Sequence, residues 1–346
     1  VIRRNRHGQA AAFWPIVSLA SSVLCATATG QAQFVDDAGR RVELPARVDR
    51  VFSAGAPAEL LLYTLAPEKL AGRNMQPSPA ALELIPPQFR EMPAIVNLPD
   101  RDDARYDAEL LALDVDVYVD YGTIDDDYVA ALEAISGRTD IAGVILDGSL
   151  AKIPDVYRRL GPALGVAQRG SQLAAEAQRI IDKYRGTLAA ASPRVYLACS
   201  QNGLQPCYRG HSAGEAAELL GATNVAGNLA DAARRPLALD EVRALNPDVI
   251  VAASRDAAAA IRADAAWSEL RAVAAGRVHA PPALPFNWGP RPPSVNRLAG
   301  LIWLAYVLPG RELDAAFFDD VRSFFTTFYH VTPTDEQLRA LLRESR

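Results

Sequence analysis

Between residues 171 and 191 the chain reads SQLAAEAQRIIDKYRGTLAAA. Leu173, Ala177, Ile180, Ile181, Tyr184 and Leu188 recur there at the three-and-four spacing of one helix face. Ser171 is placed to cap the start, with Gly165 and Gly170 as punctuation before it. A face this apolar has to be covered. Strand-like and helix-like runs alternate on both sides of it, so the stretch is either one surface helix of a large α/β domain or a connector between two similar lobes. With 346 residues, half of them hydrophobic, the chain is long enough for two cores.

Before the stretch, FVDDAGRRVEL (34–44) reads as an edge hairpin and Arg50-Val51-Phe52-Ser53 as a first buried strand. Ala54-Gly55-Ala56-Pro57 turns into a helix through Leu62, and strand-like runs return at Ala94–Asn97, Val115–Val119 and Gly143–Leu146. After the stretch the same grammar repeats. A strand runs to Cys199, and helical patterns occupy Ser212–Leu220 and the residues before Asp248-Val249-Ile250-Val251. A helix around Trp267–Val273 and a short strand Arg277–His279 follow, and then three helical patterns, Ser294–Leu308, Leu313–Phe328 and Thr334–Arg343. Alternation of this kind predicts parallel sheets covered on both faces, with ligands at the carboxyl ends of the strands. That rule makes Ser53, Ala54, Gly55, Pro57 and Tyr121 one wall of an expected cleft. An internal echo favours two lobes: Glu109-Leu-Leu-Ala-Leu-Asp-Val-Asp116-Val against Glu241-Val-Arg-Ala-Leu-Asn-Pro-Asp248-Val.

The N-terminus reads as an export signal, 1–32: Arg3, Arg4 and Arg6, an apolar run from Ala10 to Ala28, then small residues with cleavage expected after Ala32. Pro15 and the small-residue tail argue against a membrane anchor, and Leu24 before Cys25 against lipidation. Removing this segment leaves 33 basic against 41 acidic residues. No basic stripe is present, and nothing favours nucleic acid. The two remaining cysteines, Cys199 and Cys207, flank SQNGLQP, whose Asn202-Gly203 is a strong hairpin signal. In an exported chain this spacing predicts a disulfide across the hairpin rather than a metal pair.

No nucleophile elbow, phosphate loop or His-Glu-x-x-His is found. Of the four histidines, His7 lies in the leader, His279 in a strand and His330 between helices, where it is expected at the surface. His211 stands beside Arg209 in Tyr208-Arg-Gly-His-Ser212, just before a helix start that could hold an anion. The second candidate is the loop Pro281–Ser294, stiffened by six prolines and carrying Asn287, Trp288 and Arg291. Trp suits bounding a planar ligand and Arg suits neutralising an anionic one.

The hairpin opening, SAGAPAELL (53–61), NPDVIVA (246–252), SAGEAAELLGATNVA (212–226), WSELRAVAAGRV (267–278) and PRPPSVNRLAGLIWLA (290–305) occur in an order and spacing that resembles a known family. These features resemble the periplasmic binding proteins of ABC importers for iron–siderophore complexes, haem and cobalamin. The resemblance implies an α/β fold, two Rossmann-like lobes with central mainly parallel sheets joined by one long α-helix, divided as 33–165, 166–192 and 193–346. It implies capture of an iron or metal chelate between the lobes, with no catalysis and no cofactor, by a monomer in the periplasm. It also implies delivery to an importer permease in the inner membrane, through an acidic residue on each lobe. Glu215 or Glu218 fits the second lobe. In the first lobe the usual Glu position is Ala108, with Asp107 and Glu109 beside it, so Glu109 is the candidate. Relatives often carry Asp where Arg291 stands, which implies a more positive pocket, and some with a similar Pro-Pro-Ser-x-Asn-Arg-Leu segment bind molybdate or tungstate. Two other classes stay open: an exported α/β hydrolase using Ser212 beside His211, and a sensor with no transported ligand. A single stiff helix between lobes predicts small rocking on binding rather than wide closure.

Overall fold

The structure is a computed structural model that describes residues 32–343 except 96–100, 102–103, 209, 228 and 230–234. The expected leader up to residue 31, part of the strand-like run at 94–97, and Arg209 lie outside the described residues. β1 (Ala32–Val35) and β2 (Arg41–Leu44) form an antiparallel hairpin. Its turn is held by the buried Asp36, which accepts from the Ala38 and Arg40 backbone N–H groups and pairs with the Arg40 guanidinium at 2.6 Å. The hairpin docks on a parallel sheet of order β3 (Val51–Ser53), β4 (Val117–Gly122), β5 (Ala142–Asp147). Beyond the central helix lies a second parallel sheet, in the order β7 (Thr223–Asn224), β6 (Arg194–Leu197), β8 (Val249–Val251), β9 (Val278–His279). The fold is therefore α/β with two parallel-sheet lobes, as expected.

The period of two along each strand sorts side chains between cores. In the first sheet Val51, Val117, Val119 and Val144 point to one cluster, while Phe52, Tyr118 and Ile145 join another with Leu132 and Ile135. In the second sheet Val195, Leu197 and Val249 point to that same first cluster, while Tyr196 and Ile250 join a third with Trp267 and Ile261. The shared cluster also holds Leu173, Ala177, Ile180, Ile181 and Tyr184 of the central helix. Each lobe thus has a private core on its outer face and shares one core with the other.

The central helix spans Ala167–Tyr184, not 171–191. It starts four residues before Ser171, with Val166 at its N-cap, because Gly170 serves a different purpose from punctuation. A Cβ on Gly170 would lie 2.6 Å from the Tyr157 carbonyl oxygen and 2.8 Å from the Gly161 Cα. The two glycines let this helix cross the preceding one, Ile153–Ala163, backbone against backbone. Gly165, at φ +73°, does terminate that preceding helix. Nor is the central helix a lone strut. It packs against Ile153–Ala163, against Arg297–Val307 and against Ala315–Phe328. The buried Asp320 of the last of these accepts the Tyr184 hydroxyl at 2.5 Å and pairs with Arg179 and Lys183. His330 is likewise half-buried rather than exposed: its Nε2 lies 3.0 Å from the Tyr63 carbonyl and its Nδ1 3.4 Å from Arg169.

The echo between halves is a shared structural device. Asp116 accepts from the Asp49 and Arg50 backbone N–H groups at 2.7 and 2.8 Å, and Asp248 accepts from that of Arg194 at 2.9 Å. Arg50 donates to the Leu113 carbonyl, and Arg194 to those of Leu245 and Asn246. Asp114 (φ 50°) and Asn246 (φ 44°) hold the left-handed turn between helix and strand, a conformation their short polar side chains tolerate. In both lobes an Asp just before one strand, β4 or β8, fixes the entry to its parallel neighbour, β3 or β6.

Candidate functional site

A cavity of about 230 Å³ lies at the carboxyl ends of β6, β8 and β9. Its floor is Leu197–Cys199, Val251–Ala253 and Pro281, the residues at and just beyond those strand ends. This is where a parallel sheet offers backbone groups that the ladder leaves free. One side is the hairpin after β6. Cys199 and Cys207 are joined there by a disulfide with their Cα atoms 5.4 Å apart, and Gly203, at φ +75°, makes the turn. The other sides are His211–Ala213, the proline-rich loop and the first turns of Arg297–Val307.

The loop is rigid for reasons beyond proline. Asn296 donates to the Asn287 and Gly289 carbonyls, and the Asn287 side chain accepts from the Gly289 N–H at 2.7 Å. Trp288 is buried, donates through Nε1 to the Leu284 carbonyl at 3.0 Å, and meets Phe325 edge-on. Gly300 allows the loop to press on the helix, since a Cβ there would run into the Trp288 carbonyl. Arg291 projects from the loop, exposed, at the cavity wall. His211 accepts from the Ala213 N–H through Nδ1 at 3.1 Å, and its ring lies edge-on to Tyr208. Burial and the positive charge of Arg291 hold its imidazole below the ordinary value of 6.5, with Glu215 pulling the other way. It is therefore neutral at neutral pH.

Arg297, absent from the sequence-derived candidates, is the other charged wall of the cavity. Its side chain is 2 % exposed. Nη1 pairs with Glu215 at 2.9 Å, Nε donates to the Ser294 carbonyl at 3.1 Å, and Nη2 donates to the Gly148 carbonyl at the end of β5. Glu215 also accepts from the Leu150 N–H at 2.5 Å. A buried arginine and a partly buried glutamate of one lobe thus fasten the strand end of the other, helped by Ser294, whose hydroxyl donates to the Pro57 carbonyl at 2.8 Å. Glu215 is partly buried and paired through Oε2, whereas Glu109 and Glu218 are exposed. The available signal for Arg297 was a single cation opening the apolar run RLAGLIWLA.

The structure brings His211, Trp288, Arg291 and Arg297 to one cavity, and among the described residues the two arginines are its only charged lining side chains. Asn287 braces the loop from behind. The first-lobe candidates do not line this cavity. Ser53 is buried and bonded to Asn74 Nδ2 through both its carbonyl and its hydroxyl. The Ala54 carbonyl accepts from Arg101, Gly55 caps the helix Ala56–Leu65, and Pro57 meets Ser294. Tyr121 is buried, its phenol raised by burial and drawn back by Arg297. No hydrogen bond joins Ser212 to His211 among the described residues, so the nucleophile–base pair a hydrolase needs is not assembled.

No protein-family model matches the sequence. No curated protein matches it either. Solved structures do share its fold. An ABC transporter solute-binding protein from Sulfurospirillum deleyianum superposes with a TM-score of 0.76 at 23% identity, over 90% of this chain and 99% of that one. The molybdate periplasmic binding protein of a Haemophilus influenzae ABC transporter, bound to molybdate, gives 0.67 at 19% identity over 88% and 99%. The periplasmic vitamin B12-binding protein of Vibrio cholerae gives 0.56 at 21% identity over 76% and 97%. The chain has the two-lobed fold of periplasmic solute-binding proteins of ABC transporters. Among its described residues no helix is long and apolar enough to cross a membrane.

Proposed function

We propose that this chain is a periplasmic solute-binding protein, with lobes at 33–165 and 193–346, that captures an anionic metal species and hands it to an ABC importer. The observation that carries the reading is the cavity at the second lobe's strand ends, whose charged lining is Arg291 and Arg297 with no carboxylate. The exposed Arg291 guanidinium beside apolar walls favours an anion stripped of water, while the charge of Arg297 is already met by Glu215. A neutral His211 adds a hydrogen-bonding edge without a third charge. The fold shared with solute-binding proteins supports binding rather than catalysis. In this proposal the partly exposed Ala54, Gly55 and Pro57 bound the cleft from the first lobe, the buried Ser53 and Tyr121 support that wall, and Arg209 and Asn287 complete the second-lobe set. Glu109 and Glu218 are the proposed permease contacts.

A chelate such as an iron–siderophore, haem or corrinoid complex is one ligand class. Its body would lie between the lobes, with an anionic arm in the cavity. The volume of about 230 Å³ favours a second reading, since drug-sized ligands need about 300–1,000 Å³. A tetrahedral metal oxyanion would fit whole. Native mass spectrometry with an absorption spectrum, on protein purified from its own source, separates the two: a coloured chelate or an oxyanion mass. Calorimetry then tests the pocket. Affinity for that ligand should fall about tenfold or more when Arg209 and Arg291 are both changed to Ala. Unchanged affinity overturns the anionic pocket.

A further inference from the structure

The Sγ atoms of Cys199 and Cys207 and a ring nitrogen of His211 lie within 4.8 Å of one another, and all three residues line the same cavity. We infer that the reduced chain holds a Cys₂His site for a soft or borderline d¹⁰ cation, Zn²⁺ or Cu⁺, which the disulfide switches off. This inference does not rest on the transport reading.

The scaffold is independent of the sulfur–sulfur bond. The Cys199 N–H donates to the Gln205 carbonyl at 2.7 Å, the Cys207 N–H to the Leu197 carbonyl at 2.8 Å, and Asn224 holds the Cys207 carbonyl at 2.9 Å. Opening the disulfide therefore leaves two thiols on a hairpin that stays paired. In a tetrahedral zinc site with Zn–S near 2.3 Å, two sulfurs sit ~3.8 Å apart. Side-chain rotation supplies that from Cα atoms 5.4 Å apart. Thiolate and imidazole together select Zn²⁺ and Cu⁺ over hard cations. Nδ1 of His211 accepts from the Ala213 N–H, which leaves the ring proton on Nε2; coordination takes Nδ1 in place of that bond, or Nε2 once the proton has moved to Nδ1. Two thiolates neutralise a divalent ion, so Arg291 and Arg297 nearby oppose no net charge and favour thiolate over thiol. The fourth position faces the cavity, where water or a small anion completes it.

The chemistry balances with a dithiol reductant. Its thiolate attacks the half-exposed Cys199 sulfur, the Cys207 sulfur leaves, and the second thiol resolves the mixed disulfide. Two electrons and two protons pass to the protein, and the dithiol becomes a disulfide. Zn²⁺ binding then releases the two thiol protons to solvent.

The test uses the full chain in a Cys25→Ser background, oxidised or reduced with a non-chelating phosphine, and titrated with Zn²⁺ against a chromophoric chelator. Co²⁺ serves as an optical probe. Reduced protein should bind one equivalent, with a thiolate-to-Co²⁺ absorption band, and oxidised protein none. His211→Ala, which leaves the disulfide untouched, should weaken Zn²⁺ at least ~100-fold, since even outer-shell losses cost ~10–100-fold. Cys199→Ser or Cys207→Ser should remove the band. Equal Zn²⁺ uptake by both redox forms overturns the inference, as does wild-type affinity in His211→Ala. Loss of far-UV dichroism on reduction overturns it too, because the site needs the folded hairpin.

Discussion

Glu59 sits in the first turn of the helix Ala56–Leu65, immediately after the strand end that forms part of the proposed cleft, and it is fully buried. Its Oε2 accepts from the Asn74 and Met75 backbone N–H groups at 2.5 and 2.8 Å, while Oε1 has no hydrogen-bond partner among the described residues. Asn74 in turn grips Ser53. Burial pushes the carboxyl from its ordinary 4.5 up to about 7, against the pull of the two N–H groups and of Arg73. Lifting a carboxyl that far corresponds to about 3 kcal/mol, at about 1.4 kcal/mol per tenfold. The sign follows from proton counts. Between 4.5 and about 7 the folded state holds a proton that the unfolded state has lost, so stability falls as pH rises through this window. It is fully present below 4.5 and gone above about 7.

Glu59→Gln isolates this contribution. The amide oxygen can accept both N–H groups, and the side chain does not titrate. Its Nε2 brings a constant penalty for a buried donor, so the absolute stability of the variant is not the readout. The readout is the difference between wild type and variant in urea unfolding, followed from about pH 4.5 to about pH 8. Other titrating groups cancel in that difference. The wild type should lose about 3 kcal/mol relative to Glu59→Gln across the range. A difference flat to within about 1 kcal/mol refutes the buried, proton-holding carboxyl.

Three further outcomes are expected. Gly170→Ala should cost about 1–3 kcal/mol of unfolding free energy, because its methyl group meets backbone on the neighbouring helix, whereas Gly137→Ala should stabilise by about 0.5–1 kcal/mol; Gly137 lies in the helix Asp126–Thr139 with nothing within 4 Å of a Cβ there. Glu215→Ala strands the buried Arg297 charge and should cost about 3–5 kcal/mol, read from the urea midpoint. Anion affinity by calorimetry should be constant above neutral pH and rise only below 6.5, where the depressed His211 takes a proton; His211→Ala should abolish the rise.

Much of this architecture was legible because it is written in periodicity and turn chemistry. The alternation Val51-Phe52 and Val195-Tyr196-Leu197 sorts residues between shared and private cores whatever lies on either side. The repeated Ala-Leu-Asp and Ala-Leu-Asn before a strand-opening Asp marks the same left-handed turn twice. Gly170 was misread for a physical reason. A glycine within an amphipathic pattern signals either an end or a close approach, and only the position of the crossing helix decides between them. The central helix looked solitary because periodicity names the face that is buried and not what covers it. Leu173 and Ile180 would show the same spacing against one helix or against three.

The site was legible to the level of strand ends and no further. Ser53 ends a strand of one parallel sheet and Cys199 lies just past a strand of the other, so strand-end position alone does not tell them apart. What separates them is whether the polar groups nearby are already used. Around Ser53 they are: Asn74 takes its carbonyl and hydroxyl, Arg101 takes Ala54, and Ser294 takes Pro57. Around Cys199 the strand ends open on a cavity. The same accounting reverses Glu215 and Arg297. An acidic residue at a helix start reads from sequence as surface, and an Arg opening an apolar helix as a snorkelling cation. Besides the Ser294 carbonyl that Arg297 meets locally, each is satisfied by the other and by a distant backbone group, Gly148 for Arg297 at 149 positions and Leu150 for Glu215 at 65. Such pairing is invisible to any local pattern. It also ties the ligand wall to the lobe contact: an anion that drew Arg297 away from Glu215 would loosen the fastening at Gly148 and Leu150. Binding and lobe movement would then share one guanidinium.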